Sequence, residues 1–419
     1  MIPTSLNRSG ESEGGRIDNL IDLKASLLVE GLSFDFASLR TYPNLADLKC
    51  NRMKVSDRHF LGVGDKNRQY IFDELILKNG EKSSVVKVYY NADSPLRIFN
   101  EEGTLSIKDL GKDAIAAIGV EPIPLWNYAK KLYQDVPLDD FVSVMGVDRV
   151  GVLTFDGCEE WNKGRPCFFC GANPNRLGYC QKKPNLAQLR DFPDYDSWWN
   201  RYQDFFRDGV FVAMKELMNE PIGPHRHFLA MSGNLSDQDK AWEYLLGVLE
   251  DLSRFIDFSK WDSHINLMPP HDFRYIHRAK DLGFKNICMN LEVYDPDLFA
   301  VICPGKQRTI GYDNIRKALD YSLGIFGGGN VRTNLVLGAE PMANSIRAAK
   351  ELGQSGIVVN LTVFYPRPGS VWRDKKPSLK SEIVEATQSI TEIHRAYQHT
   401  PFGCTLSSRS SLESEFFDA

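Results

Sequence analysis

The sequence predicts an α/β fold: a partial (β/α)6 barrel occupying roughly residues 146–375, behind an N-terminal α+β accessory domain at 17–145. Two observations predict it. After residue 146 short β-rich runs alternate with longer amphipathic segments at the spacing that parallel βα units require, and six such runs follow one another. Several intervening segments stop at a glycine (Gly283, Gly327, Gly353), where a left-handed cap residue is expected. Six consecutive βα units curl into an open barrel whose chemistry sits at the strand carboxyl ends.

The expected strands are RVGVLTF (149–155), RHFLAM (226–231), HINLM (264–268), NICMNLE (286–292), RTNLVLG (332–338) and IVVNLTVF (357–364). Helices are expected between them at 196–218, 240–256, 272–283, 312–327 and 342–353, with a last one at 381–398. In the N-terminal region 17–32 reads as helix, 70–77 and 83–91 as strands, and 113–120 and 126–136 as helix. Residues 1–16 and the tail after about 405 are polar and read as frayed, leaving 376–419 as a terminal helix and flexible tail.

Bulk composition narrows the function. Charged residues make up 25% and the formal net charge is -5, so no broad basic field exists to hold nucleic acid or an anionic membrane, and a small-molecule or peptide substrate is the default. No window approaches the roughly 18–20 apolar residues of a spanning helix, and MIPTSLNRSGESEGG lacks the apolar core of a secretion signal, so a cytoplasmic protein is expected. Eight cysteines are too sparse for a disulfide scaffold; in a reducing compartment, clustered thiols indicate metal or catalysis.

Three of those cysteines, Cys158, Cys167 and Cys170, lie in GCEEWNKGRPCFFCGANP, just past the first strand, spaced C-x8-C-x2-C. Soft thiolates select zinc or iron and sulfur, and both usually take four ligands. A fourth from Cys180, His225 or His227 would close a structural zinc site in a barrel with a binding role. A cluster with three protein ligands instead leaves one iron open to a cofactor.

A three-cysteine loop after the first strand of a six-unit barrel, with Phe169 before the last cysteine, resembles the radical S-adenosylmethionine superfamily, although that family's commonest spacing is C-x3-C-x2-C. Downstream segments match in order. Ser232, Gly233 and Asn234 occupy the place of the glycine-rich turn that receives the methionine amino group. NLEVYDPDLF resembles the fourth strand of biotin synthase and its relatives. RTNLVLGAEP resembles the region lining the adenine side, and VFYPRPGS the proline-rich exit.

The resemblance implies one [4Fe-4S] cluster on Cys158, Cys167 and Cys170, with S-adenosylmethionine on the open iron. It implies cofactor contacts from Phe169, Ser232, Gly233, Asn234, Asn290, Glu292, Gly338 and Glu340. For the methionine carboxylate a cation is expected, with Arg308, Arg316 and Arg332 as candidates. Cleavage to a 5'-deoxyadenosyl radical would serve a biosynthetic reaction, fed by an electron donor such as flavodoxin or ferredoxin. Cys303 and Cys404 are candidate hydrogen donors, and no second cluster is expected.

Overall fold

The structure, a computed structural model, describes residues 20–43, 48–49, 72, 74–79, 82–111, 118–154, 158–171, 195–220, 227–367, 369–401 and 408–417. Cys180, Cys404, His225, residues 1–16 and the expected helix over 113–117 lie outside them.

Helix α1 (Leu20–Glu30) and strand β1 (Ser33–Phe34) open the chain. The strands Glu74–Asn79 (β2), Lys82–Lys87 (β3), Leu96–Glu101 (β4), Thr104–Asp109 (β5) and Ile118–Pro122 (β6) complete a six-stranded sheet in the order β1-β4-β5-β6-β2-β3. Two expectations are corrected here. Residues 118–120 pair as strand rather than helix, because Leu105 and Leu77 both take Val120 as partner. Over 126–136 the chain makes a single 3-10 turn (Asn127–Lys130) and a hairpin of Leu132–Tyr133 (β7) with Val136–Pro137 (β8). Its two-residue loop, Gln134 and Asp135, has φ of 45° and 66°, the sign a tight hairpin turn demands; without glycine or asparagine there, the sequence carries no such signal.

Strand β9 (Val142–Met145) lies antiparallel to β10 (Arg149–Leu153) at one edge of a seven-stranded sheet. Strands β11 (His227–Met231), β12 (Asp262–Asn266), β13 (Asn286–Cys288), β14 (Val331–Leu337) and β15 (Ile357–Val363) follow in sequence order, all parallel. All six expected strands are present. Those in the middle are buried along nearly their whole length, as the apolar runs of a parallel sheet covered on both faces should be. The third begins two residues earlier than expected, and the fourth stops at Cys288 rather than at residue 292. The architecture is α/β, a partial barrel.

The covering helices are Tyr195–Leu217, Gln238–Leu252, Arg274–Asp281, Tyr312–Phe326, Met342–Gln354 and Lys380–Ala396, with two short ones at Pro296–Ile302 and Pro304–Thr309. Gly283 (φ 92°) and Gly327 (φ 83°) end their helices as expected, but Gly353 does not. The helix runs past it and Gly356 (φ 94°) takes the left-handed position, while Gly353 gives room to Tyr397, whose ring would lie 2.8 Å from an added Cβ. Among the described residues no helix is long and apolar enough to cross a membrane.

The tail also departs from expectation. Residues 408–417 are packed, not frayed: the Lys87 N–H donates to the Arg409 carbonyl at 2.8 Å and the Val363 N–H to the Ser410 carbonyl at 2.9 Å. These bonds occupy backbone groups on β3 and β15, the terminal strands of the two sheets, so the tail bridges two edges that would otherwise be open to strand addition. Its polar side chains are the reason it looked solvated. Glu415 pairs at 2.7 Å with Lys24, which is 0% exposed inside α1, while Arg409 pairs with Glu74 and Leu412 is fully buried.

Candidate functional site

The site forms where the loop after the first strand of the parallel set meets the segments after the second, fourth and sixth. Cys158 stands at the amino end of a single helical turn, Glu159–Asn162. That turn is tied to the loop after β11: Glu159 N–H donates to the Asn234 carbonyl at 2.9 Å, and Ser236 N–H donates to the Glu159 carboxylate at 2.7 Å. Ser232, Gly233 and Asn234, all half-buried, are thereby brought beside the cysteine loop.

On its other side the loop is seated on the segment after Pro296–Ile302. Phe168 N–H donates to the Ile302 carbonyl at 2.9 Å. Gly305 approaches so closely that an added Cβ would lie 2.4 Å from the Arg165 carbonyl and 2.5 Å from Glu160 Oε2, so only glycine fits. Glu160, itself buried, accepts from Arg165 at 3.0 Å and from the Thr309 hydroxyl at 2.7 Å.

The segment after the last strand reaches back to the same loop. Trp372 N–H donates to the Phe168 carbonyl at 2.9 Å, and the Trp372 ring lies 5.9 Å from Phe168, 6.4 Å from Phe169 and 5.5 Å from Phe364. Lys375 Nζ stands 3.6 Å over Trp372 and donates to the Gly338 carbonyl at 3.1 Å. The sheet does not close by strand pairing, but its first and last segments meet through these aromatics.

The three thiols are half-buried and in no disulfide. Burial, then the neighbouring Cys167 and Cys170, pushes Cys158 up to about 12. Cys167 is also pushed up, by a hydrogen bond with Cys303, burial and the charge of Cys303. Bringing such thiols together as thiolates requires positive charge, which is what a bound metal group provides. Among the described residues no three His, Cys, Asp or Glu side chains converge tightly enough for a single ion. Three soft donors on one loop suit an iron and sulfur cluster.

Glu292 sits beside this loop in an unusual conformation. Its φ is 66°, the left-handed region, so extended strand geometry does not continue through it. Its N–H donates to the Asn334 carbonyl at 2.8 Å, and its carboxylate pairs at 2.7 Å with Lys306, both side chains being buried. Burial alone would lower Lys306, but Glu292, Cys167 and Cys303 together hold the ammonium above the usual lysine range. Asn290 is half-buried and accepts from the Cys288 thiol at 3.1 Å. Cys288 is itself buried, 5% exposed.

Gly338 (φ 96°) turns the chain after β14. Glu340, expected at the cofactor, is committed elsewhere: it accepts from the N–H groups of Tyr294 at 2.7 Å and Asp295 at 3.1 Å and from Asn344 at 3.3 Å. Arg332 lies at the opposite end of the sheet, near the start of β14, donating to Asn286 at 3.2 Å and to the Thr400 carbonyl at 2.7 Å. His227 is at that far end too, 2.8 Å from Asp262. These residues line a polar cavity of about 400 Å³ beneath the strands' amino ends. Arg316 stacks over Tyr294 and Arg308 is exposed. Lys306 is a buried cation beside Cys167. Sequence reasoning named only arginines as candidate cations and did not single out Lys306.

No protein-family model matches the chain. A stretch of 134 residues is 34% identical to bacteriochlorophyllide c C-7(1)-hydroxylase of Chlorobaculum limnaeum, covering 32% of this chain and 33% of that protein, so the chain spans a third of the length of that curated relative. Solved structures similar to it include HydG, a maturase of the [FeFe]-hydrogenase, at 12% identity over 62% of this chain and 51% of that one, TM-score 0.40. Another is coproporphyrinogen III oxidase (HemN) from Escherichia coli, a radical SAM enzyme, at 12% identity over 64% and 57%, TM-score 0.39. With three cysteines past the first of six parallel strands, and the turn after the second strand bonded to their loop, the chain resembles the radical S-adenosylmethionine superfamily in fold as well as in motif.

Proposed function

We propose that the chain is a radical S-adenosylmethionine enzyme acting on a small molecule in a biosynthetic pathway, with Cys158, Cys167 and Cys170 holding one [4Fe-4S] cluster. The observation that carries the reading is the seating of this cysteine loop against three separate post-strand segments at the carboxyl ends of a parallel sheet, where barrel enzymes place their chemistry. When bound, the cluster and S-adenosylmethionine supply one-electron chemistry that yields methionine and a 5'-deoxyadenosyl radical able to take a hydrogen atom from carbon.

The chain's own residues bind, orient and shield. Ser232, Gly233 and Asn234 offer small side chains and backbone groups beside Cys158, suited to a ligand's amino group. Phe168, Phe169 and Trp372 wall the loop and keep water from it. Asn290 and Gly338 remain candidate cofactor contacts, and Lys306 replaces the arginines as the cation at this end. The N-terminal sheet serves as an accessory domain, and the reductant is a small electron carrier such as a flavodoxin or ferredoxin. The cytoplasm suits an oxygen-sensitive cluster.

The relative hydroxylates a bacteriochlorophyllide, which supports a substrate that loses hydrogen from a carbon centre. Anaerobic incubation of the reconstituted protein with S-adenosylmethionine and dithionite tests the reading. It should release 5'-deoxyadenosine, and Cys167→Ala should release none. A wild-type protein that binds zinc and forms no 5'-deoxyadenosine would refute it.

A further inference from the structure

The spacer between the first two cysteines is closed on itself by one buried side chain. Glu160 stands two residues after Cys158, and Arg165 two before Cys167. The Arg165 N–H donates to the Glu160 carbonyl at 2.7 Å, and its guanidinium donates to Glu160 Oε2 at 3.0 Å. Between them the chain loops out through a helical turn. Trp161 N–H donates to the Cys158 carbonyl at 3.0 Å, Gly164 N–H to the Trp161 carbonyl at 3.1 Å, and Gly164 takes a φ of 68° as the chain reverses. The shortest bridge from Cys158 to Cys167 therefore runs through Glu159, Glu160, Arg165 and Pro166, which brings the C-x8-C spacing close to the commoner C-x3-C. The other carboxylate oxygen, Oε1, accepts from the Thr309 hydroxyl at 2.7 Å, and Gly305 packs against both Glu160 and the Arg165 carbonyl. The clasp is thus fastened to the helix Pro304–Thr309 as well.

Resting on the functional reading above, we propose that Glu160 is a positioning residue for the cluster: by clasping Arg165 and holding Thr309 it sets the separation at which Cys158 and Cys167 meet one iron and sulfur group. A free spacer of the C-x8-C length would have to lose its conformational freedom whenever a cluster bound, which weakens binding. Here that freedom is removed on folding, because Glu160 is only 3% exposed and both its carboxylate oxygens are engaged, one of them by a charged partner. Residues outside a ligand set commonly orient metal ligands in this way, and their loss typically lowers metal affinity about 10- to 100-fold.

The test is anaerobic reconstitution of wild type, Glu160→Ala, Glu160→Gln, Thr309→Val and Thr309→Ser, counting iron and sulfide per chain and following the rate at which iron passes to a chelator. Leu412→Ala, in the tail, controls for a general loss of stability. Glu160→Ala should release iron about 10- to 100-fold faster than wild type. Glu160→Gln, which keeps one acceptor oxygen, should fall between the two. Thr309→Val should move in the same direction by a smaller factor, and Thr309→Ser, whose hydroxyl still donates, should match wild type. Should Glu160→Ala fail to fold, Glu160→Gln and the Thr309 pair decide by the same readout. Iron retention unchanged in the folded Glu160 variants and in Thr309→Val, or a loss no greater than in Leu412→Ala, would overturn the inference while leaving the functional reading intact. A wild-type protein that takes up no cluster would overturn both.

Discussion

Lys306 Nζ and Glu292 Oε1 stand 2.7 Å apart, with side chains only 8% and 11% exposed, and so join the loop after the fourth parallel strand to the seat of the cysteine loop. Removing one partner of a buried pair strands the other's charge, which typically costs about 3–5 kcal/mol, whereas replacing both with apolar groups of similar size is close to neutral. Lys306→Met should therefore destabilise the protein by about that amount. Lys306→Met combined with Glu292→Leu should recover most of the loss. Urea denaturation of the single and double variants measures both; equal stability of Lys306→Met and wild type would show that the pair does not persist in solution.

Glu340 separates a structural role from a cofactor role. Its carboxylate holds the Tyr294 and Asp295 N–H groups, and burial raises its pKa. Glu340→Ala should cost about 1–3 kcal/mol by orphaning buried donors. It should leave iron loading and S-adenosylmethionine affinity unchanged. Loss of cofactor binding in a protein of near-normal stability would return Glu340 to the cofactor site.

The tail at 408–417 should behave as core. Leu412 is 0% exposed, and Leu412→Ala should cost about 2–5 kcal/mol, a loss that thermal unfolding would detect. Truncation after residue 407 should do more, uncovering strand edges on both sheets and causing concentration-dependent association in light scattering. A truncated chain that stays monomeric with an unchanged melting temperature would contradict the packing described.

His264 gives a pH signature. Burial pushes it down to about 3; the neighbouring Asp262 carboxylate, as acceptor, partly opposes this, and the Arg332 charge reinforces it. The unfolded chain then binds a proton that the folded chain does not, between about pH 6.5 and pH 3, so stability falls with acid through that window, by at most about 1.4 kcal/mol per pH unit. His264→Gln should flatten this part of the stability profile whatever it does to stability at pH 7. A slope the same as wild type would remove His264 as its source.

The barrel was legible because its signal is long-range and repeated: six apolar strands, amphipathic helices and glycine stops all point one way. What could not be read were features decided by tertiary partners. The Gln134–Asp135 hairpin lacks the usual turn residues. The tail is polar because its ion pairs are satisfied by Lys24 and Glu74, hundreds of residues away. The C-x2-C spacing and the SGN turn were both visible in the sequence, and the structure sets their two loops side by side. The left-handed backbone of Glu292 and its lysine partner could not be read, since the strand has already ended at Cys288 and the pairing is tertiary.

The central claim is that three cysteines hold a cluster with one iron left for a cofactor. The electron paramagnetic resonance spectrum of the dithionite-reduced protein, recorded before and after adding S-adenosylmethionine, tests it most directly. The account predicts a [4Fe-4S] signal, absent from the Cys158, Cys167 and Cys170 alanine variants, whose shape changes when the cofactor is added. A signal indifferent to S-adenosylmethionine, or one that survives loss of these cysteines, would contradict it.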